Sequence, residues 1–289
     1  MPAISVVIPT FNCGPYLGES LDSIFAQTFR DLEVIVVDDG STDNTPEVLE
    51  AYRGRLRVLP GPHAGLSAAR NACLAVARGE WIAFHDADDV ALPDRLAFQL
   101  QCLATAPDAD AVFCNGVRMD TGAAVIPPTA PVARPRLLTV RDLFAGFPIY
   151  FQGALVRREV FARCGPFATS FRIQPDIEYG YRLLTRCQAL FVDRVVFRYR
   201  WHTTNNSRDL VGGREDISRV LEALLAEEPD AVRSIGRHRI MRRLARNYYR
   251  LACRYRPTDP NRAQATLVRA ARLYPWPFPY YLLRYLRAQ

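Results

Sequence analysis

The first hundred residues alternate short apolar runs with amphipathic stretches, as strands and helices taken in turn would. Ile4–Ile8 is a β-branched run suited to a strand buried on both faces. Pro9-Thr10-Phe11-Asn12 breaks it, and Tyr16, Leu17, Leu21, Ile24 and Phe25 then return at helical spacing. Val34–Val37 predicts a second buried strand, ending in Asp38-Asp39-Gly40-Ser41; a helix follows from near Asp43–Thr45, where capping residues precede Pro46. Leu56–Leu59 reads as a third strand and Leu66–Arg78 as an Ala-rich helix stopped by Gly79. Trp81–Phe84 is a fourth strand, running into His85-Asp86-Ala87-Asp88-Asp89. Such repetition predicts a parallel sheet wound by right-handed crossovers, with ligands gathered beyond the carboxyl ends of the strands. The acidic clusters lie at those ends.

From about Ala109 the rhythm changes. Ala111–Cys114 predicts a strand, Thr121–Pro135 a Pro-rich loop or hairpin, Phe151–Val156 a strand, Asp176–Cys187 a helix and Leu190–Tyr199 a last strand. From Asp209 the pattern is helical: Ile235–Arg256 turns at Pro257–Pro260 into Arg262–Leu273, and the Pro/aromatic stretch Tyr274–Tyr281 follows. This divides the chain into an α/β domain over 1–205, with halves 1–108 and 109–205, and a helical tail over 206–289.

Composition narrows the class. The 289 residues are 49% hydrophobic and 23% charged, a globular balance with room for a sizeable core. No apolar run approaches the ~20 residues that span a bilayer. Met1-Pro2-Ala3-Ile4 passes straight into a strand, which argues against a secretory signal. Seven cysteines, an odd number with no Cys-x-x-Cys pair, argue against a zinc site or a disulfide framework and for reduced thiols in the cytoplasm. The net charge of +7 is uneven: residues 233–289 hold fourteen arginines against one acid, Asp259. No lysine occurs anywhere.

Two carboxylate groups dominate the chemistry, Asp38/Asp39 and Asp86/Asp88/Asp89. Carboxylates crowded into one crevice repel unless a cation or a donor offsets them. Helix capping alone accounts poorly for three aspartates within four positions after an apolar strand. A hard divalent ion with oxygen ligands, Mg²⁺ or Mn²⁺ shared with substrate phosphates, fits better. A phosphorylation receiver domain needs a lysine, which this chain lacks. A haloacid-dehalogenase-type phosphatase carries Asp-x-Asp, as in Asp86-Ala87-Asp88, but at its first strand and with a downstream lysine. A dinucleotide oxidoreductase needs Gly-x-Gly-x-x-Gly where Pro9-Thr10-Phe11-Asn12-Cys13-Gly14 stands.

The remaining pattern resembles family 2 glycosyltransferases of the GT-A fold. Ser5-Val6-Val7-Ile8-Pro9-Thr10-Phe11-Asn12 is similar to their opening strand and nucleotide loop, and Val36-Val37-Asp38-Asp39-Gly40-Ser41-Thr42-Asp43 to their second signature. Gly65–Asn71, then Gly79-Glu80-Trp81-Ile82-Ala83-Phe84 leading into Asp86-Ala87-Asp88-Asp89, resembles the third, and weaker likeness continues to about residue 205. The resemblance implies a nucleotide-sugar donor, UDP the expected nucleotide, with Mn²⁺ or Mg²⁺. It implies that Thr10 and Asp39 contact the nucleoside, with Asn12 in the same loop. Asp86 would lie near the ribose, Asp88 would ligate the metal, and Arg70 would lie close to the nucleotide unless it is a surface helix arginine.

Inverting transfer also needs a base on the acceptor side. Asp176 and Glu178 open a helix, where first-turn acids are favoured in any case. Family members carry an acidic pair about six residues before an arginine here; Asp176 precedes Arg182 by six, though Pro175 replaces the other acid, and Asp176 is the expected base. Tyr199-Arg200-Trp201-His202 resembles a segment closing over the site: His202 would be a second metal ligand or touch the diphosphate, unless it is a satisfied structural histidine, and Arg200 would offset phosphate charge. The tail carries no nucleic-acid recognition motif. Its arginines with Trp276, Phe278, Tyr280 and Tyr281 have the composition of a segment lying on an anionic membrane surface. The expected function is metal-dependent sugar transfer to a glycan or lipid-linked acceptor in envelope or surface polysaccharide synthesis, peripheral on the inner face of the membrane. The alternative is a noncatalytic nucleotide-sugar-binding or scaffolding protein acting through its basic helices.

Overall fold

In the computed structural model, residues 1–122, 135–203, 205–275 and Tyr285 are described. Residues 123–134 of the Pro-rich stretch, with Trp276, Phe278, Tyr280 and Tyr281, lie outside them. β1 (Ile4–Thr10) is buried along its whole length. Its side chains alternate between faces: Ile4, Val6 and Ile8 meet Leu17, Leu21 and Ile24 of α1 (Gly14–Phe25). β2 (Leu32–Asp38) runs parallel to β1, from Ile4 opposite Leu32 to Thr10 opposite Asp38, and Val7, Ile35 and Val37 face the other layer. α2 (Thr45–Glu50), β3 (Arg57–Pro60), α3 (Leu66–Val76) and β4 (Trp81–Phe84) follow, with β4 parallel on the other side of β1. At the turn into β4 a Cβ on Gly79 would lie 2.4 Å from the Ser5 nitrogen, so only glycine lets the chain pass.

Next come β5 (Val90–Ala91), α4 (Arg95–Ala104), β6 (Ala111–Arg118), β7 (Arg136–Leu138) and α5 (Val140–Ala145). A 3₁₀ turn at Phe151–Gly153 leads into β8 (Ala154–Arg157), then α6 (Glu159–Cys164), α7 (Pro175–Arg186) and β9 (Ala189–Tyr199). The sheet order is β3-β2-β1-β4-β8-β6-β9-β5, with β7 on β9. The long ladders, β1–β2 and β6–β9, are parallel, and β8 enters antiparallel to β4 and β6.

Two strands depart from expectation. Phe151–Val156 begins as the 3₁₀ turn, because Gly153 is pressed against the Phe197 ring and Phe151 turns its own ring among Phe84, Phe113 and Phe167. β6 runs on past Cys114 to Arg118: Asn115 satisfies its amide on Asp193 at 2.8 Å, and Gly116 leaves room for Phe197. An apolar run alone ends where those polar residues begin.

The last described elements are all helices: α8 (Leu210–Glu227), α9 (Pro229–Ile235), α10 (Arg237–Tyr255) and α11 (Pro260–Leu273). Tyr249, Ala252 and Leu267 form a small cluster of their own between α10 and α11, but most of the apolar faces pack elsewhere. Val220, Leu221, Leu224, Ile235, Ile240 and Leu244 join one cluster with Leu143, Tyr181 and Leu183 of α5 and α7. Among the described residues no helix is long and apolar enough to cross a membrane.

Candidate active site

β4 delivers its acids to the carboxyl edge of the sheet on a loop braced from behind. His85 is fully buried, its Nε2 2.9 Å from Ser20 Oγ and its Nδ1 3.4 Å from an Arg95 nitrogen. Arg95, equally buried, also donates to the Phe84 and Ala154 carbonyls at 2.7 and 3.2 Å. Burial, then the Arg95 charge, pushes His85 down to about 3, so the imidazole is neutral. A guanidinium can only donate, so Nδ1 accepts and Nε2–H is directed at Ser20. In front of this brace, one carboxylate oxygen from each of Asp86, Asp88 and Asp89 lies within 4.8 Å of the others. Burial, and the Asp88 and Asp176 charges working against Arg70, push the Asp86 carboxyl up to about 7. Burial and the charges of Asp86 and Asp88 raise Asp89 well above the carboxylate range. Asp89 Oδ1 accepts the Arg200 backbone N–H at 2.9 Å, while buried Oδ2 has no hydrogen-bond partner among the described residues. Such crowding is what a cation relieves.

The segment after β9 folds over this loop. Arg200 Nε donates to the Asp88 carbonyl at 2.9 Å and its terminal nitrogen to Glu19 at 2.5 Å. His202 Nε2 lies 2.8 Å from Asp88 Oδ2, and Tyr16 stacks on the imidazole at 4.9 Å.

From the other layer, Arg70 of α3 reaches in. It is 1% exposed and surrounded by the rings of Phe84, Phe151 and Phe167, 5.4–5.8 Å from its guanidinium carbon. It donates to Asp176 Oδ1 at 2.5 Å and lies 3.6 Å from Asp86 Oδ1. Although burial opposes its charge, Asp176 and Asp86 hold the guanidinium above its ordinary value. Asp176 Oδ2 also accepts the Phe151 N–H at 3.3 Å. Glu178 points elsewhere, in a two-point pair with Arg182 at 2.7 Å.

The loops at the ends of β1 and β2 complete the edge. Thr10 is buried. Its carbonyl accepts the Asp39 N–H at 2.8 Å. The two Asp39 carboxylate oxygens accept from the Ala64 and Gly65 amides at 2.9 and 2.7 Å, and Gly65 takes φ +91° to present its N–H. Asn12, itself at φ 51°, accepts from the Thr42 amide at 2.7 Å and so fastens the first loop to the second. A cavity of about 350 Å³ between α2 and β3, lined by Asp38, Pro46, Leu49 and Val58 among others, lies at the sheet edge away from the Asp86 loop.

Residues 5–165 match the family model described as Glycosyl transferase family 2. The chain belongs to this family. It is similar to glycosyltransferase GlyG of Streptococcus pneumoniae, 40% identical over 121 residues that make up 40% of each chain. Curated relatives are longer, and the matched regions span 38% and 40% of two of them. Among solved structures, TarS 1-349 of S. aureus in complex with UDP-GlcNAc superimposes with a TM-score of 0.69 at 18% identity, covering 92% of this chain and 79% of that one. The mannosyltransferase PcManGT of Pyrobaculum calidifontis, in complex with GDP-Man and Mn²⁺, gives 0.65 at 23%, covering 99% and 85%. The fold of this family 2 chain is therefore GT-A-like, an α/β fold with a mainly parallel central sheet, here with a C-terminal helical part.

Of the residues named from the family 2 resemblance, Asp86, Asp88, His202, Arg70 and Asp176 come together in one cluster. Thr10, Asn12 and Asp39 lie along the adjoining loops. The reading of Arg70 as a surface helix arginine is corrected: the rings around it and its two carboxylate partners bury it. Arg200, expected to offset phosphate charge, is spent on Glu19 and the Asp88 backbone. The brace of Ser20, His85 and Arg95 was missed. Its one signal is an arginine, Arg95, set four and eight residues before Gln99 and Leu103 on the buried face of α4.

Proposed function

We propose that this family 2 glycosyltransferase moves a sugar from a nucleoside diphosphate, UDP in the first instance, to an acceptor hydroxyl by single displacement with inversion. The observation that carries the reading is the Asp176–Arg70–Asp86 bridge, which joins an acid of the second half to the carboxylate loop of the first. Residues 1–205 act as the transferase domain and 206–289 as its helical support. Thr10 and Asp39 hold the nucleoside on the loops that Asn12 ties together, and Asp86 faces the ribose.

Asp88 and His202 would hold Mn²⁺ or Mg²⁺. The donor set suits a hard ion: carboxylate oxygens lie within 4.8 Å of one another, and Asp89 Oδ2 stands buried without a partner among the described residues. When bound, the metal supplies positive charge against the leaving diphosphate. Asp176 accepts the acceptor's hydroxyl proton as that oxygen bonds to the anomeric carbon. The bond from that carbon to the diphosphate oxygen breaks, and the nucleoside diphosphate departs with the electron pair. Arg70 keeps Asp176 oriented throughout, and the aromatic cage keeps water from the ion pair.

The nucleotide sugars and Mn²⁺ in the structures of the similar transferases support this choice of donor and metal. The acceptor is a glycan or a lipid-linked glycan of envelope or surface polysaccharide. The enzyme works in the cytoplasm, peripheral on the inner face of a membrane bearing anionic lipids, a reading that the basic helices support; no nucleic acid takes part.

Thermal-shift titration of a nucleoside diphosphate panel, with and without Mn²⁺, tests the site on wild type and Asp88→Ala. A nucleotide at about 100 times its Kd should stabilise the wild type by about 2.7 kcal/mol, only with metal, and the variant should show none of it. Folded protein that responds to no nucleotide would overturn the reading and leave the noncatalytic alternative.

A further inference from the structure

The arginines of the helical part divide into two kinds. On α11, Arg262 and Arg269 meet Glu215 and Glu222 of α8. Those same glutamates accept from Tyr255 and Tyr248, so these arginines belong to the packing of three helices. On α10, Arg242, Arg246, Arg250 and Arg254 are exposed, and none has an acidic partner among the described residues. α10 contains no acid at all. Spacing by four puts these side chains on one flank, within an arc of about 120° and a length of about 18 Å.

Like charges at that spacing repel, so the row carries a cost that nothing within the described fold offsets. Arg214 of α8 adds to it: its guanidinium reaches Asn247 at 3.3 Å. Burial, then the charges of Arg250 and Arg254, holds that group below its ordinary value. The helix cannot rotate to dilute the row, because its other flank buries Ile240, Leu244, Tyr248, Leu251 and Tyr255. The row therefore lies on the outer flank of a docked helix. A helix flank offers no cradle for one small anion and no groove to follow a single polymer. It suits contact with many negative groups in a plane.

We propose that the α10 flank of Arg242, Arg246, Arg250 and Arg254 is the surface by which this protein docks on anionic lipid headgroups. This rests on the membrane placement argued above. Its failure would leave the sugar-transfer reading standing, since that is decided on metal-dependent nucleotide binding. Each arginine held against an anionic leaflet is worth about fivefold in partitioning, so removing all four should weaken binding at least about a hundredfold.

The test is flotation of the full chain with phosphatidylcholine–phosphatidylglycerol vesicles and with phosphatidylcholine alone, at low and high salt. Wild type should float with the anionic vesicles only, and salt should release it. Arg242→Gln/Arg246→Gln/Arg250→Gln/Arg254→Gln should stay at the bottom with an unchanged thermal transition. The control Arg30→Gln/Arg53→Gln/Arg55→Gln/Arg57→Gln loses the same charge from exposed positions between the end of α1 and the first residue of β3, and should float. If the quadruple variant does not fold, Arg246→Glu/Arg250→Glu reverses the centre of the row and should behave alike. Equal flotation of stripe variant and wild type would overturn the proposal. So would an absence of flotation at low salt, or loss of flotation by both quadruple variants alike. Stripe-dependent retention on a soluble polyanion with no vesicle binding would reassign the flank to a charged polymer.

Discussion

A guanidinium enclosed by three aromatic rings is tolerable only with carboxylates to face, and Arg70 has two. That arrangement separates the two acids that open α7. Residues i and i+2 of a helix point about 200° apart, so Asp176 and Glu178 cannot both face the carboxylate loop. Asp176 faces Arg70 and Glu178 faces Arg182. Asp176→Asn should therefore lower kcat by about 10²- to 10⁴-fold, the range for loss of a general base. Nucleotide affinity, read by thermal shift, should stay within severalfold. Glu178→Gln should cost stability instead, about 1–3 kcal/mol from its half-broken pair, with kcat nearly unchanged. Release of nucleoside diphosphate on transfer, with urea unfolding alongside, distinguishes them; the reverse pattern would move the base to Glu178. Helical spacing alone left this choice open, because it does not say which flank meets the cleft. The burial of Arg70 was left open in the same way: it stands three residues from both Ser67 and Cys73 on the flank of α3 that turns out to be buried, but spacing alone also allows a surface arginine.

Between elements, the position of Asp176 depends on a helix that contributes nothing to the cluster itself. Asp216 of α8 is 1% exposed, and its Oδ2 accepts the Ile173 and Gln174 amides at 2.6 and 3.0 Å, just where the chain turns into α7. Asp216→Ala would leave two amides without an acceptor, at about 1–3 kcal/mol each, and let the first turn of α7 shift. The expected result is a loss of stability in urea together with a fall in kcat that outweighs any change in donor KM. Asp216→Asn keeps one acceptor oxygen and should recover most of both. A stable Asp216→Ala protein with wild-type kcat would show that α7 holds its own position. Nothing in the sequence announces this contact, which joins residues 42 and 43 positions apart. The strands were legible where both faces bury apolar residues, as in β1, β2 and β4. They were not where a polar residue is satisfied inside a sheet, as at Asn115, or where an aromatic ring bends the chain, as at Phe151.

At the scale of the molecule, the division at residue 205 marks a change of architecture more than an independent unit. The basic composition of 206–289 suggests an appendage, because charge is what composition records most plainly. The packing is of another kind. Leu221 and Leu224 of α8, Ile235 of α9 and Leu244 of α10 lie in one apolar cluster with Leu143 and Phe144 of α5 and Leu183 of α7. Arg186 of α7 closes on Glu228 between α8 and α9 with two bonds at 2.8 and 2.9 Å, and Arg141 of α5 donates to the Ser234 carbonyl at 2.7 Å. Removing 206–289 would return the α5 and α7 faces to water, at about 1.5–3 kcal/mol for each large side chain uncovered. Uncovering several approaches the whole margin of a typical domain, about 5–15 kcal/mol. It would also take away Asp216, and with it the anchor of the segment that leads to Asp176. A chain ending at residue 205 should therefore aggregate or lose its cooperative thermal transition, while the four α10 glutamine substitutions leave that transition in place. Differential scanning calorimetry of the two decides it. A truncated chain that unfolds cooperatively near the full-length temperature and still binds nucleotide would make 1–205 a domain that folds alone, and would reduce the helices to their charged surface.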